Sequence, residues 1–397
     1  MDASTEQSSA LGYRPALDGV RALAVGAVVA YHLDGRGLRG GFLGVDTFFV
    51  LSGFLITSLL LLELERTRAI ALVAFWGRRL RRLLPALLGV VAAVAVYSRW
   101  FAPAMDRASL RGDSIAGLFY VANWRFVASG QSYFDLFGAP SPLRHLWSLA
   151  IEEQFYLVWP LVVLGAAVLV GRRAGRTRAL VGLVAAVGAG ASIWAMAHLY
   201  DGADPSRAYY GTDARVHTIL IGALLAVTAV HWTPRRRLSA AGVQAVGAVA
   251  LAGVIVAFAT VSDRGAWLYR GGSVLFAVAV ALVVLAAAQE RGPLVALLGV
   301  APARALGRIS YGVYLWHWPV IVWMTPERTG LDGVQLTLAR LAVTLVAATL
   351  SYHLLEMPIR RGSLGGWRGI ALVPATVGAI VLAVVVATAG ATARPNY

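Results

Sequence analysis

The groups in this sequence that could do chemistry are ionisable side chains inside long apolar runs, and the first two are Arg21 and His32. They lie eleven residues apart in LDGVRALAVGAVVAYHL. In a helix this spacing returns to within about 20° of the same face, about 16 Å further along the axis. An imidazole there could serve as a general base. The alternative is a snorkelling arginine with an interfacial histidine, and Asp18 could simply pair with Arg21.

Two adjacent carboxylates, Glu152 and Glu153, stand one to two turns into the helix predicted for SPLRHLWSLAIEEQFYLVWP. Carboxylates inside a membrane span are costly and are usually paired or functional. One could be the structural partner of an arginine, and the other could orient a histidine and raise its basicity. Because the predicted topology puts His32 and Glu152 near the outer side, we expect these two side chains to meet.

Four arginines, Arg78, Arg79, Arg81 and Arg82, crowd the sequence FWGRRLRRLLPA at the predicted cytoplasmic mouth of the third span. Arg78 shares a helix face with Arg81 and with Arg82, at spacings of three and four residues. Guanidinium groups match phosphates with paired hydrogen bonds, so the cluster could bind a cytosolic polyanion. The alternatives are that it sets the topology or binds anionic lipid.

The remaining polar groups stand in three other apolar segments. GGFLGVDTFFVLSGFLIT carries Asp46. If this helix packs through its small residues, Asp46 is expected at its water-exposed end. Its small residues, which permit close backbone approach, are Gly40, Gly41, Gly44 and Gly53. His317 lies mid-helix in ISYGVYLWHWPVIVW, and Glu356 lies near the end of LSYHLLEMPIRR. The seven histidines show no metal-ligand spacing and there is no cysteine, so no metal site is expected.

The composition is that of a membrane protein. The chain has 397 residues, of which 58% are hydrophobic and 14% charged, against about 25% charged in an average soluble chain. The apolar residues form runs long enough to cross a bilayer, which excludes a soluble enzyme, a disordered chain and a secreted disulfide scaffold. The net charge of +15 lies in short clusters between those runs, as in cytoplasmic loops, and does not indicate nucleic-acid binding.

The elements that must position these residues are membrane-spanning helices, about eleven of them at about 20 apolar residues each. The predicted crossings are 14–33, 42–62, 83–101, 147–170, 179–199, 215–231, 240–261, 271–289, 309–325, 336–355 and 369–391. Most arginines of the loops then lie on the cytoplasmic side if the N-terminus is inside and the C-terminus outside. The short amphipathic segment 114–128 is predicted to be an interfacial or re-entrant helix. The predicted fold class is therefore an all-α transmembrane bundle.

Six of these segments occur together in an order that is typical of one family. They are RALAVGAVVAYH, GGFLGVDTFFVLSGFLIT, RRLRRLLPA, HLWSLAIEEQFYLVWP, ISYGVYLWHWP and SYHLLEMPIRR, within about residues 13–361. In these motifs the chain resembles the acyltransferase-3 family of integral membrane O-acyltransferases. The resemblance implies an acyltransferase domain over 1–361, with an extra span and a short outer tail over 362–397. In many relatives a domain similar to SGNH hydrolases follows that extra span.

The resemblance also assigns roles to residues that match the family's motifs. The family's essential histidine falls on His32 and the arginine of the same motif on Arg21. Its Arg-x-x-Arg pair falls on Arg78–Arg81 or on Arg79–Arg82, and its glutamate in the fourth span falls on Glu152, with Glu153 beside it. Supporting roles are expected for Asp18, Asp46, Ser52, Tyr311, Tyr314, His317 and Glu356.

The implied activity is transfer of an acyl group, usually acetyl, from cytosolic acyl-CoA to a hydroxyl of a glycan or a glycosylated small molecule. The arginine cluster and Arg21 would bind the donor, and His32 would act as general base or, as an alternative, carry the acyl group itself. Glu152 would orient His32. Because intramembrane charges also mark translocation paths, a glycan transporter or flippase is the rival function. The expected partners are acyl-CoA, a carbohydrate acceptor and the bilayer of the cytoplasmic membrane, without a metal or nucleic acid.

Overall fold

The chain is all-helical wherever its structure is described, in residues 12–34, 38–134, 140–229, 239–360 and 367–390 of a computed structural model. The α-helices run in this order: α1 (Pro15–Asp34), α2 (Gly44–Thr67), α3 (Leu72–Trp100), α4 (Ala104–Leu118), α5 (Ala122–Ala128), α6 (Leu146–Leu169), α7 (Ala174–His198), α8 (Ser206–Tyr210), α9 (Thr212–Ala229), α10 (Ala240–Thr260), α11 (Ser273–Ala287), α12 (Pro293–Leu298), α13 (Ala301–Trp323), α14 (Pro326–Thr329), α15 (Gly333–Ser351), α16 (Met357–Arg360) and α17 (Trp367–Ala387). A 3-10 turn at Gly41–Leu43 precedes α2. Two π-helical turns, Leu268–Gly272 and Tyr352–Glu356, precede α11 and α16. The predicted all-α fold class is confirmed.

Nine helices within these ranges are long and apolar enough to cross a membrane. They are Pro15–Leu33, Gly41–Thr67, Leu72–Trp100, Leu146–Leu169, Ala174–His198, Thr212–Ala229, Ala240–Thr260, Leu268–Ala287 and Gly333–Arg360. They correspond to the first eight predicted crossings and the tenth, so the chain is a multi-pass membrane protein. The ninth and eleventh predicted crossings fall on α13 and α17, and the total of eleven and the orientation stay predictions.

The helix that contains the third predicted crossing is longer than that crossing. It is α3, which starts at Leu72, and all four clustered arginines lie inside it. Arginine is a good helix former, and the apolar residues 72–76 before the cluster extend the helix toward the N-terminus. The arginines are therefore held on a continuous helix and not on a loop at its mouth.

The amphipathic segment forms two helices instead of the single one predicted over 114–128. The break falls at Tyr120, whose φ of +55° lies in the left-handed region that a bulky residue rarely adopts. Arg125 of α5 donates from Nε to Asp113 Oδ1 of α4 at 2.9 Å, which fixes the two helices against each other. Burial raises the pKa of Asp113, and the charge of Arg125 opposes that rise. Neither helix is among the candidate spans within the described chain.

The first of two compact units, unit 1, contains the residues up to Ala71 together with Gln154–Ser310. Here α2 packs closely against α9, α7 packs against α9, and α10 packs against α11. A Cβ added at Gly53 would overlap the carbonyl oxygen of Ile219, and one at Gly222 would overlap that of Val50. Overlaps with a backbone carbonyl also occur at Gly40, Gly41 and Gly44, so the predicted close approach through these glycines is confirmed.

Unit 2 contains Leu72–Glu153 and the residues from Tyr311 onward. Within it α3 packs against α4, α17 and the π-helical turn before α16. Arg111 of α4 donates to the hydroxyl oxygen of Thr388 at 2.8 Å and to its carbonyl oxygen at 2.7 Å. The predicted extra span thus packs on helices of unit 2, while the predicted domain boundary after residue 361 stays a prediction.

Candidate active site

In unit 1 the helix α1 carries both Arg21 and His32, each half-buried. Arg21 Nη1 lies 3.9 Å from Asp18 Oδ1, so the predicted pairing one turn apart is confirmed. The ring of His32 packs edge-on against Tyr31, with 5.0 Å between the ring centroids. The Tyr31 hydroxyl donates to Asp263 Oδ2 at 2.6 Å, which anchors the end of α1 that carries His32.

Asp46 lies in the interior of unit 1, not at a wet helix end. Its Oδ2 accepts a hydrogen bond from Arg215 Nη2 at 2.8 Å, and both residues are 0% exposed. The guanidinium of Arg215 also lies 5.0 Å from the centroid of the Tyr209 ring. Arg215 was not predicted as a partner of Asp46. Its place at the start of the sixth predicted crossing could have indicated one, because charged residues in spans are usually paired.

Ser52 has a simpler environment on α2. Its hydroxyl oxygen accepts a hydrogen bond from the Tyr156 hydroxyl of α6 at 2.9 Å. One turn further along α2, Thr57 accepts from Trp159 Nε1 at 2.8 Å. These two bonds fix α6 against α2 within unit 1, so Ser52 has a visible structural role.

In unit 2 the predicted arginines and glutamates come together. The charges of Arg79 and Arg82 act on Glu153, which follows Glu152 on α6. Glu153 Oε1 is buried and accepts no hydrogen bond within the described chain. Arg78 is exposed, and Arg79 and Arg82 are half-buried. Of the two Arg-x-x-Arg registers, Arg79–Arg82 is the one whose charges act on Glu153.

Two tyrosines complete this charged cluster. The hydroxyl of Tyr311 donates to the Leu83 carbonyl oxygen at 2.8 Å, and Glu152, Glu153 and Glu356 all act on it electrostatically. Tyr120 was not predicted, because nothing in the sequence around it indicates that it lies near the charged residues. Burial raises the pKa of Tyr120 well above its usual value, and the charge of Glu153 adds to this, so the phenol stays protonated.

The other supporting residues predicted in unit 2 are all buried. Glu356 lies in a π-helical turn and is 3% exposed; such turns are frequent at functional sites. His317 Nδ1 donates to the Tyr314 carbonyl oxygen at 2.6 Å, and the Tyr314 hydroxyl donates to the His145 carbonyl oxygen at 2.9 Å.

In the part of the chain that the structure describes, no cluster of three or more metal-ligating residues occurs.

The predicted site residues are thus divided between the two units. Unit 1 holds His32, Arg21, Asp18, Asp46 and Ser52, and unit 2 holds the arginine cluster, the glutamates and the α13 residues. Within unit 2 the arrangement offers fixed positive charge beside carboxylates and a protonated phenol. That His32 meets Glu152 stays a prediction.

Comparison with known proteins assigns the chain to a family. The family model of an acyltransferase domain matches residues 14–389. Peptidoglycan O-acetyltransferase OatA of Listeria monocytogenes is 40% identical over 88% of this chain and 56% of its own. The putative peptidoglycan O-acetyltransferase YrhL of Bacillus subtilis is 42% identical over 88% and 55%, and O-acetyltransferase OatA of Staphylococcus aureus is 38% identical over 94% and 61%.

The matches are confined to part of each relative, since the chain spans between 55% and 61% of the length of these three proteins. No solved structure matches the chain at a significant level. The family model nonetheless covers nearly the whole of this sequence, including every motif that carries the charged residues above. The chain therefore belongs to the acyltransferase-3 family.

Proposed function

We propose that this protein is a membrane-bound O-acetyltransferase of the cytoplasmic membrane, which moves an acetyl group from cytosolic acetyl-CoA to a hydroxyl of an envelope glycan. The observation that carries the proposal is that the charges of Arg79 and Arg82, on α3, act on the buried Glu153 of α6 within unit 2. The names of the relatives, which are O-acetyltransferases and in two cases peptidoglycan O-acetyltransferases, support the acetyl group and the glycan.

The donor site is proposed at Arg79 and Arg82. Acetyl-CoA is a polyanion at its nucleotide end, with a pyrophosphate and a 3′-phosphate, and carries its thioester on a long flexible arm. Paired guanidinium groups bind phosphate oxygens with two hydrogen bonds each. Arg81 belongs to the same donor site in this proposal, whereas the exposed Arg78 contributes long-range attraction. A donor-binding role of Arg21 stays a prediction.

The chemistry is proposed to proceed by general base catalysis. His32 takes the proton of the acceptor hydroxyl as its oxygen attacks the thioester carbonyl carbon. The tetrahedral intermediate then collapses with cleavage of the C–S bond. The CoA thiolate leaves and takes the proton from the imidazolium, so that the products are the O-acetyl ester and CoA. Glu153 serves as the partner of the arginines within unit 2, and a role of Glu152 in orienting His32 stays a prediction.

A thiol assay tests this proposal. The chain has no cysteine, so a thiol-reactive dye added to the detergent-purified protein reports only released CoA. We expect CoA release with acetyl-CoA that rises when an N-acetylglucosamine oligomer is added, together with an acetylated oligomer in the mass spectrum. Movement of the oligomer across vesicles without CoA release would instead establish the transporter, and would overturn the acyltransferase.

A further inference from the structure

One end of unit 1 carries a dense group of arginines. The segment 63–68 at the end of α2 and the segment 172–178 between α6 and α7 together contain six arginines and two glutamates. Five of the six arginines are exposed, and the sixth is half-buried. We call the six the α2–α7 arginine group; its members are Arg66, Arg68, Arg172, Arg173, Arg176 and Arg178.

Direct contacts join the two segments. Arg68 Nη1 of the first segment donates to the Arg172 carbonyl oxygen of the second at 3.0 Å. Arg178 Nε lies 3.3 Å from Glu65 Oε1, which forms a second link between them. The other glutamate, Glu63, accepts a hydrogen bond at 3.0 Å from a backbone N–H of the loop that follows α2. Both carboxylates therefore have partners already, and positive charge predominates on this surface.

The backbone is left-handed at two arginines of the group. Arg68, which follows α2, has a φ of +58°, and Arg172, which follows α6, has a φ of +55°. Glycine adopts this conformation at a helix end without strain, whereas a long side chain adopts it rarely. Each of these arginines therefore places a guanidinium at a helix end where glycine would suit the backbone better.

The exposed faces of α6 and α7 are apolar up to the arginine group. On α6, Leu157 and Val168 are each 57% exposed, and their spacing of eleven residues puts them on one face. On α7, Leu183 and Val187 are 60% and 64% exposed. Val187 is eleven residues from Arg176, so it lies on the same face as this arginine. Guanidinium groups above apolar helix faces match a phospholipid, whose phosphate lies at the end of its acyl chains.

We propose that the α2–α7 arginine group binds the headgroup of an anionic phospholipid, with the acyl chains against the apolar faces of α6 and α7. Guanidinium groups bind phosphate oxygens with paired hydrogen bonds, and arginine clusters beside a membrane span attract anionic lipid. Arg173 and Arg176 contribute exposed charge, while Arg68 and Arg178 hold the two segments together. The proposal concerns unit 1 and does not depend on the acetyl transfer proposed above.

Titration of the full chain with lipid in detergent tests this site. The probe is phosphatidylglycerol, with phosphatidylcholine as the comparison, and native mass spectrometry counts the bound lipids. Arg173→Gln with Arg176→Gln removes two charges from the group, and Arg173→Lys with Arg176→Lys keeps them. Both side chains are exposed, so the unfolding temperatures of the lipid-free variants should match that of the wild type. If the double glutamine variant fails to fold, Arg176→Gln alone replaces it.

The matched control is Arg264→Gln with Arg270→Gln, which removes two exposed charges elsewhere in unit 1. The Arg264 carbonyl oxygen accepts from the Tyr200 hydroxyl at 3.0 Å, and the Arg270 guanidinium lies 5.7 Å from the Tyr200 ring centroid. Tyr200 follows the far end of α7, whose 25 residues extend over about 37 Å. The control therefore lowers the net charge equally, at the opposite end of this helix.

We expect the wild type and the control to prefer phosphatidylglycerol to phosphatidylcholine. The double glutamine variant should bind phosphatidylglycerol about tenfold or more weakly, and the double lysine variant should stay within about threefold of the wild type. Equal binding of the two lipids by the wild type, or an affinity of the glutamine variant equal to that of the control, overturns the proposal. Displacement of the lipid by an equal concentration of glycerol 3-phosphate also overturns it, since the site would then bind free phosphates.

Discussion

Asp46 and Arg215 form an ion pair in the interior of unit 1, with 2.8 Å between Oδ2 and Nη2 and no exposed surface on either residue. The two residues are 169 positions apart in the sequence and join α2 to α9. Taking both charges out of water is costly, and their attraction offsets that cost only while both are present. Each residue of the pair therefore needs the other to remain buried in its charged form.

Breaking this pair from one side should destabilise the protein strongly. Asp46→Leu leaves a buried guanidinium without its counter-charge, and Arg215→Met leaves a buried carboxylate. We expect each to reduce the free energy of unfolding by about 3–5 kcal/mol. The double variant removes both charges and should regain most of the loss. Unfolding temperatures of the four proteins in detergent measure this, and additive losses would show that the two charges are independent.

Removing the imidazole of His32 should stop acetyl transfer. For His32→Gln we expect a rate of CoA release lower by a factor of about 10²–10⁴, since a general base contributes that much. The acetyl-CoA KM should stay near the wild-type value because the proposed base does not hold the CoA phosphates. His198→Gln serves as the control for loss of a histidine. A His32→Gln rate within tenfold of wild type would remove His32 from the mechanism.

The two arginine registers should separate in donor binding. Arg79→Gln with Arg82→Gln removes the pair beside Glu153, and Arg78→Gln with Arg81→Gln removes the rival pair. A hydrogen bond to a charged group contributes about 1.5–3 kcal/mol, so the first variant should raise the acetyl-CoA KM about tenfold or more. The second should raise it less, because Arg78 is exposed. If the second variant instead raises the acetyl-CoA KM more than the first in steady-state kinetics, the donor site is at Arg78–Arg81.

Two glycine substitutions should have opposite effects on stability. Gly53→Ala drives a methyl group into the carbonyl oxygen of Ile219, so α2 and α9 must separate and stability falls. At Gly190, on α7, an added Cβ meets nothing within 4 Å. Gly190→Ala should therefore stabilise the protein by about 0.5–1 kcal/mol through the better helix propensity of alanine. Unfolding temperatures measured in the same detergent compare the two, and equal shifts would contradict the close packing at Gly53.

Features that depend on local spacing were predictable from the sequence. Arg21 and Asp18 are one helical turn apart, so their pairing follows from the helix alone. The glycines in α2 predicted a close backbone contact, because helices pack closely where side chains are small. The long apolar runs predicted nine of the crossings, because the thickness of a bilayer sets the length of a span.

Features that depend on tertiary partners were not predictable. Asp46 near the start of an apolar run looks like a residue at the water boundary until Arg215 is placed beside it. The backbone of Tyr120 is strained by its surroundings, and tyrosine itself gives no sign of a left-handed φ. The action of Arg79 and Arg82 on Glu153 joins residues more than 70 positions apart, and no local pattern in the sequence predicts it.

The reciprocal contact of Gly53 with Ile219 and of Gly222 with Val50 restricts how unit 1 can move. Where two helices touch through side chains, rotamer changes absorb small sliding motions. In unit 1 the backbones of α2 and α9 are in direct contact, and a close-packed interior resists compression. The two helices must therefore move as one rigid body in any conformational change, and the hinge of such a change has to lie in other segments of the chain.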